Sequence, residues 1–121
     1  MGFYDNKIFR PVTNTANGEV DSETRFHYHQ QGRIVWAEYF GGSVARGSLI
    51  GTVRDDDDQT LDMRYHHVNL QGELMTGQCR STPVRLPDGR LQLREKWQWT
   101  SGDCSSGESV IEEVEPAAGG Q

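Results

Sequence analysis

The sequence lacks any long hydrophobic run. None of its apolar stretches approaches the ~18 residues that a membrane-spanning helix needs, and apolar residues make up only 34% of the 121 positions. Apolar residues also fail to recur at helical spacing over any long window. These absences argue against a helical membrane protein and a coiled coil. At this length the chain should form one domain, because independent domains typically span ~100–150 residues.

Cysteine is scarce, with only Cys79 and Cys104 in the chain. The first residues show no basic segment followed by an apolar one, so we expect no secretory signal. A reducing, cytoplasmic location with two free thiols is therefore expected. A disulfide between Cys79 and Cys104 stays open as the alternative.

Positive charge is also in short supply. The net charge is −6 and the isoelectric point is near 5.1, so the long-range field of the protein repels nucleic acid and anionic membranes. The arginines at 80, 85, 90 and 94 are dispersed by strand alternation and by interleaved acids, which indicates a solvated surface of mixed charge. We therefore expect neither a nucleic-acid nor a membrane partner.

Alternation of apolar and polar residues with a period of two is what the sequence does contain. Residues 91–99 show it most clearly, and strict alternation over such a run is typical of a half-buried strand. Turn signals such as Gly41-Gly42 and Pro87-Asp88-Gly89 separate the runs, at a spacing typical of all-β folds. The predicted strands are 6–12, 22–30, 33–40, 44–54, 60–68, 73–82, 90–100 and 107–114.

Eight strands joined by short connections favour sequential antiparallel pairing. A flat sheet would leave long exposed edges, and closure into a barrel removes them. The predicted fold is therefore all-β: a single antiparallel up-and-down β-barrel of about eight strands, of lipocalin-like or avidin-like type. Residues 1–115 would form this domain, with a polar loop at 13–21 and a disordered tail at 116–121.

Strand parity predicts which side chains face the barrel interior. If Gln31-Gly32 is a two-residue hairpin turn, Tyr28 pairs with Val35, and the uncharged face of this hairpin points inward. Applied to every strand, parity gives an interior that is apolar at one end and aromatic and polar at the other. The predicted ligand-binding residues belong to the second part and are Tyr28, Tyr39, Tyr65, His67, Glu95, Trp97 and Trp99.

Glu95 is the most informative of these residues. A buried carboxylate is costly unless it is hydrogen-bonded, and tyrosine hydroxyls, His67 and the indole N–H groups are its expected partners. An eight-stranded barrel is either filled by side chains or wide enough for one small ligand. Two interpretations follow. The polar groups hydrogen-bond to one another in a filled core, or they line a cavity for a small molecule and fix the orientation of that molecule.

The candidate metal motifs are weak. His27 and His29 share a strand face, and Glu38 lies diagonally near His27 in the predicted hairpin, but this face points to solvent. The acidic run 55–58 fails the calcium-loop pattern, because Thr60 stands where glycine is required. We expect no metal and no cofactor.

Segments 23–28, 61–66, 72–77 and 95–103 resemble a family of stand-alone bacterial proteins of similar length, often labelled N-acetylglutamate synthase. The resemblance implies a bacterial, cytoplasmic protein, and the label would imply acetyl transfer. Acetyltransferases of the usual class bind the pyrophosphate of acetyl-CoA at a glycine-rich loop that opens a helix, and the sequence predicts neither. No catalytic residues follow from the resemblance.

The predicted function is binding of a small polar or aromatic molecule in the mouth of the barrel. One alternative is an enzyme that uses Glu95 and His67 as acid and base. The other is a self-filled structural module that acts through its edges as a homodimer.

Overall fold

The computed structural model describes residues 3–14, 21–54 and 59–114. All its regular elements are strands, paired antiparallel in chain order into a closed barrel in which β8 returns to pair with β1. The strands are β1 (Lys7–Asn14), β2 (Arg25–Gln31), β3 (Ile34–Gly41), β4 (Val44–Val53), β5 (Leu61–Asn69), β6 (Leu74–Arg85), β7 (Leu91–Trp99) and β8 (Ser106–Glu113). The predicted eight-stranded antiparallel barrel is confirmed.

The predicted strand boundaries differ from the structure by only a few residues at most ends. The first strand runs on to Asn14, two residues into the predicted loop. The rest of that loop up to residue 20, the acidic run 55–58 and the tail 116–121 lie outside the described residues. Within the described part of the chain, no helix is long and apolar enough to cross a bilayer.

The predicted register between β2 and β3 is wrong by two residues. Gln31 pairs with Ile34 and Tyr28 with Ala37, so the turn consists of Gly32 and Arg33. Gly32 occupies it with a φ of 62°, in the left-handed region that favours glycine. A slip of two preserves strand parity, which is why the assignment of faces survives the error. Glu38 consequently lies directly opposite His27 rather than diagonal to it.

Two ends of the barrel can be distinguished. The Tyr4 end carries the start of β1 and the turns at 32–33 and 86–90, and the Trp99 end lies opposite. The N–H of Tyr4 donates to Oε1 of Gln30 at 2.8 Å, and the N–H of Gln30 donates to Oδ1 of Asp5 at 2.8 Å. The hydroxyl of Tyr4 donates to the carbonyl of Gln59. These bonds hold a fully buried Tyr4 across this end of the barrel.

Apolar side chains fill the Tyr4 end. They are all essentially inaccessible to solvent, and they come from the segment before β1 and from six of the eight strands: Tyr4, Phe9, Val35, Val53, Leu61, Leu91, Leu93 and Ile111. The Trp99 end is built instead from aromatic and polar side chains. The barrel interior therefore changes character along its axis, as the sequence predicts.

Candidate functional site

A carboxylate held by two serines lies at mid-height on the inner wall. Glu95 of β7 pairs with Ser81 of β6 on one side and with Ser109 of β8 on the other. The Ser81 hydroxyl donates to one carboxylate oxygen at 2.8 Å, and the Ser109 hydroxyl donates to the other at 3.0 Å. Directly paired residues on adjacent strands point to the same face. The sheet register therefore brings the three side chains together.

The environment of Glu95 makes its protonation state adjustable. Burial is the largest influence and raises its pKa from the ordinary 4.5 to about 7, while the hydrogen bonds from Ser81 and Ser109 work in the opposite direction. Near neutral pH the group can therefore accept hydrogen bonds as a carboxylate or donate one as an acid. Perturbed groups of this kind cluster at functional sites.

The hydroxyl of Tyr28 is the second notable group. It is buried and has no hydrogen-bond partner among the described residues. Its ring is fixed by Phe9 and Tyr4, with centroids 4.9 Å and 5.9 Å away. Burial raises the pKa of Tyr28, and the nearby Glu95 carboxylate raises it further. Leaving a buried hydroxyl unpaired costs about 1–3 kcal/mol, so this group needs an explanation.

Cys79 and Tyr65 stand near the same carboxylate. Burial raises the pKa of the Cys79 thiol, with Glu95 adding to the effect, so the thiol stays protonated and is a poor nucleophile. Burial also raises the pKa of Tyr65, and Cys79 and Glu95 contribute. Both Cys79 and Cys104 are free thiols, as expected. The region offers hydrogen-bonding groups rather than a reactive thiolate.

Aromatic rings line the wall from this polar region to the Trp99 end. The Trp99 ring lies 5.7 Å from Trp97, 5.8 Å from His67 and 5.6 Å from Tyr65, measured between centroids. The Tyr39 hydroxyl lies 2.9 Å from Nδ1 of His67. Tyr65 is only partly buried at this end, whereas Trp97 and Trp99 are 8% and 5% exposed.

Two glycines make room for these rings. A Cβ at Gly77 would collide with the ring and hydroxyl of Tyr65, and one at Gly47 would lie 2.6 Å from atoms of both His67 and Tyr39. The rings of Tyr65 and Tyr39 therefore occupy space that side chains at Gly77 and Gly47 would need.

The structure places all seven predicted site residues on the inner face of the barrel. Tyr28, Tyr39, His67, Trp97 and Trp99 are buried, and Tyr65 and Glu95 are partly buried. Of the proposed acid/base pair, Glu95 accepts hydrogen bonds from two serines, and Nδ1 of His67 lies 2.9 Å from the Tyr39 hydroxyl. That these residues bind a ligand stays a prediction.

The predicted partners of Glu95 are wrong, since serines occupy the places expected for tyrosine, histidine and indole groups. Ser81 could have been found, because it continues the inward parity of Met75, Gly77 and Cys79 on the same strand. Tyr4 could not, because it precedes the first strand and follows no periodic pattern.

The fold and the interior groups define a class of protein: a closed up-and-down barrel with a polar cluster and aromatic walls inside. A family model described as avidin-like protein matches residues 3–114. The chain therefore belongs to the avidin-like family. No curated protein sequence matches it. The resemblance to proteins labelled N-acetylglutamate synthase is not supported, and the described residues contain no helix.

Proposed function

We propose that this protein binds one small polar molecule inside the barrel, against Tyr28 and Glu95. The observation that carries the proposal is the buried hydroxyl of Tyr28, which lacks a hydrogen-bond partner among the described residues. Buried polar groups in native proteins are almost always paired. A ligand that hydrogen-bonds to this hydroxyl removes the cost of burying it.

The neighbouring groups specify the chemistry of the ligand. Glu95 accepts hydrogen bonds or a positive charge when ionised, and donates a hydrogen bond when protonated, with the change near pH 7. The Tyr28 hydroxyl both donates and accepts. An amide- or urea-like group, which carries N–H donors beside a carbonyl acceptor, matches this pair. The faces of Trp97 and Trp99 then suit a ring or an apolar portion of the same molecule.

Access is proposed from the Trp99 end. The opposite end is covered by Tyr4, whose ring is fully buried over the ring of Tyr28. Tyr65 and Met75 at the Trp99 end are partly buried although they face the interior. Ligand sites of small barrels lie at such mouths, lined by aromatic side chains and a few polar groups.

Family membership supports the same proposal. Avidin-like barrels typically bind small molecules such as biotin. Biotin is therefore the first compound to test, followed by other small molecules that carry an amide or urea group.

The test combines isothermal titration calorimetry with tryptophan fluorescence and thermal shift. Glu95→Gln keeps the shape of the side chain and removes its charge. The affinity of the protein for the compound should fall about tenfold or more, because a charge-assisted hydrogen bond is lost. Glu108→Gln is the matched control, because Glu108 lies on β8 and is exposed on the outer face. Binding that is equal in wild type and both variants, or no binding by any compound, would contradict the proposal.

A further inference from the structure

A second cluster of chemically capable side chains lies on the outer face of the barrel. His27 and His29 occupy alternate positions on β2, so both point outward. Glu38 of β3 pairs directly with His27. One ligand atom from each of the three side chains lies within 4.8 Å of the others.

The geometry of the cluster is already close to a coordination site. Nε2 of His29 lies 2.8 Å from Oε1 of Glu38, and the two imidazole rings are 4.7 Å apart between centroids. Ligands bound tetrahedrally at ~2.1 Å from a metal stand about 3.4 Å from one another. Rotation of the exposed His27 and Glu38 side chains covers the difference.

We propose that His27, His29 and Glu38 bind a divalent transition-metal ion of the zinc type. Two imidazoles and one carboxylate are ligands that Zn²⁺ takes readily, and a water molecule completes a four-coordinate site. The carboxylate supplies negative charge, and the side chains beside the cluster in the sheet, Ile8 and Ser48, carry none. Arg25, two positions before His27 on the same face of β2, donates its guanidinium N–H groups to the carbonyls of Ser22 and Thr24.

The surroundings hold the ligands in place. The ring of His29 stacks on Trp36, with centroids 5.4 Å apart and planes inclined by 25°. Both histidines pair with β3, and His27 pairs with β1 as well, which fixes their backbone in the sheet. Such orienting contacts raise the affinity of a metal site. Trp36 also provides a fluorescent reporter beside the metal.

This proposal is independent of the interior ligand site. The three side chains project from the outer surface of the barrel wall, and none of them contributes to the cluster around Glu95 and Tyr28. Failure of either proposal leaves the other intact.

The test is titration of tag-free protein with ZnCl₂ by isothermal titration calorimetry. Excess Mg²⁺ is added so that the acidic run 55–58 does not contribute through hard-cation binding. We expect one zinc ion per chain, with affinity reduced at least about tenfold by His27→Ala and by Glu38→Gln. His66→Ala is the control, because His66 is an exposed outer-face histidine on β5 whose ring bonds to Ser48; it should leave zinc binding unchanged.

A second readout locates the ion. Cu²⁺ should quench the fluorescence of Trp36. The Cu²⁺-dependent quenching should be lost to the same extent in Trp36→Phe, which lacks the fluorophore, and in His29→Ala, which lacks a metal ligand. The variants alter exposed or partly exposed side chains, and circular dichroism verifies that they fold. No zinc uptake by wild type, or the same affinity in wild type, His27→Ala and Glu38→Gln, would overturn the proposal and leave only a surface ion pair.

Discussion

The two ends of the barrel are built by the same strand alternation but from different side chains. At the Tyr4 end the inward positions carry Leu61, Leu91, Leu93 and Ile111, all fully buried. At the Trp99 end they carry Tyr39, Tyr65, His67 and Trp99, with ring contacts and a hydrogen bond among them. Burial alone explains the first set. The second set includes polar groups that burial disfavours, and the ligand proposed to bind Tyr28 and Glu95 would enter the barrel from this end.

The largest effect should come from the apolar end. Leu93→Ala removes a fully buried side chain and should lower the free energy of unfolding by about 2–5 kcal/mol. Denaturant unfolding measures this change. The control is Lys96→Ala, at an exposed position on the same strand, which should change the free energy of unfolding little. Ligand affinity should stay unchanged in both variants. A loss of affinity in Leu93→Ala at temperatures where it is folded would show that the two ends are not separable.

Gly77→Ala should have the next largest effect, and at the other end. The added methyl group collides with Tyr65. Such overpacking should lower the free energy of unfolding by about 1–3 kcal/mol. Because Tyr65 contacts Trp99, the tryptophan emission should change as well. Gln78→Ala, at the neighbouring outward position of β6, should change neither the free energy of unfolding nor the tryptophan emission. An unaltered emission spectrum in Gly77→Ala would contradict the described packing at this end.

The pH dependence of the free energy of unfolding should report on Glu95, the carboxylate at mid-height of the barrel interior. The pKa of Glu95 is raised from 4.5 to about 7 in the folded protein, so between these values the folded state binds a proton that the unfolded state does not. Stability from this group is therefore greatest below pH 4.5 and falls as the pH rises to about 7, by about 1–3 kcal/mol.

The difference between wild type and Glu95→Gln isolates this contribution from other titrating groups. Both proteins are unfolded chemically at pH 5 and pH 8. The free energy of unfolding of the variant, relative to that of wild type, should be higher at pH 8 than at pH 5. An equal difference at the two pH values would mean that Glu95 titrates normally.

Strand parity explains why so much of this comparison could be predicted from the sequence. Alternation in segments such as 91–99 specifies which side chains face inward, and it does so even when the register is wrong by two, as in the hairpin of β2 and β3. The partners of Glu95 could not be predicted, because they depend on which residues of three strands stand opposite one another. The burial of Tyr4 depends on an irregular segment, for which no period exists.

The smallest expected effect is also the most direct test, because the central claim is that the Tyr28 hydroxyl is buried without a partner. Tyr28→Phe should leave the free energy of unfolding unchanged or raise it, since the variant loses no hydrogen bond within the protein. Tyr39→Phe is the matched comparison and should lower stability by about 1 kcal/mol, because Tyr39 is bonded to His67. Denaturant unfolding of the two variants beside wild type decides the matter. A loss in Tyr28→Phe as large as that in Tyr39→Phe would show that the hydroxyl is already paired and would contradict the account.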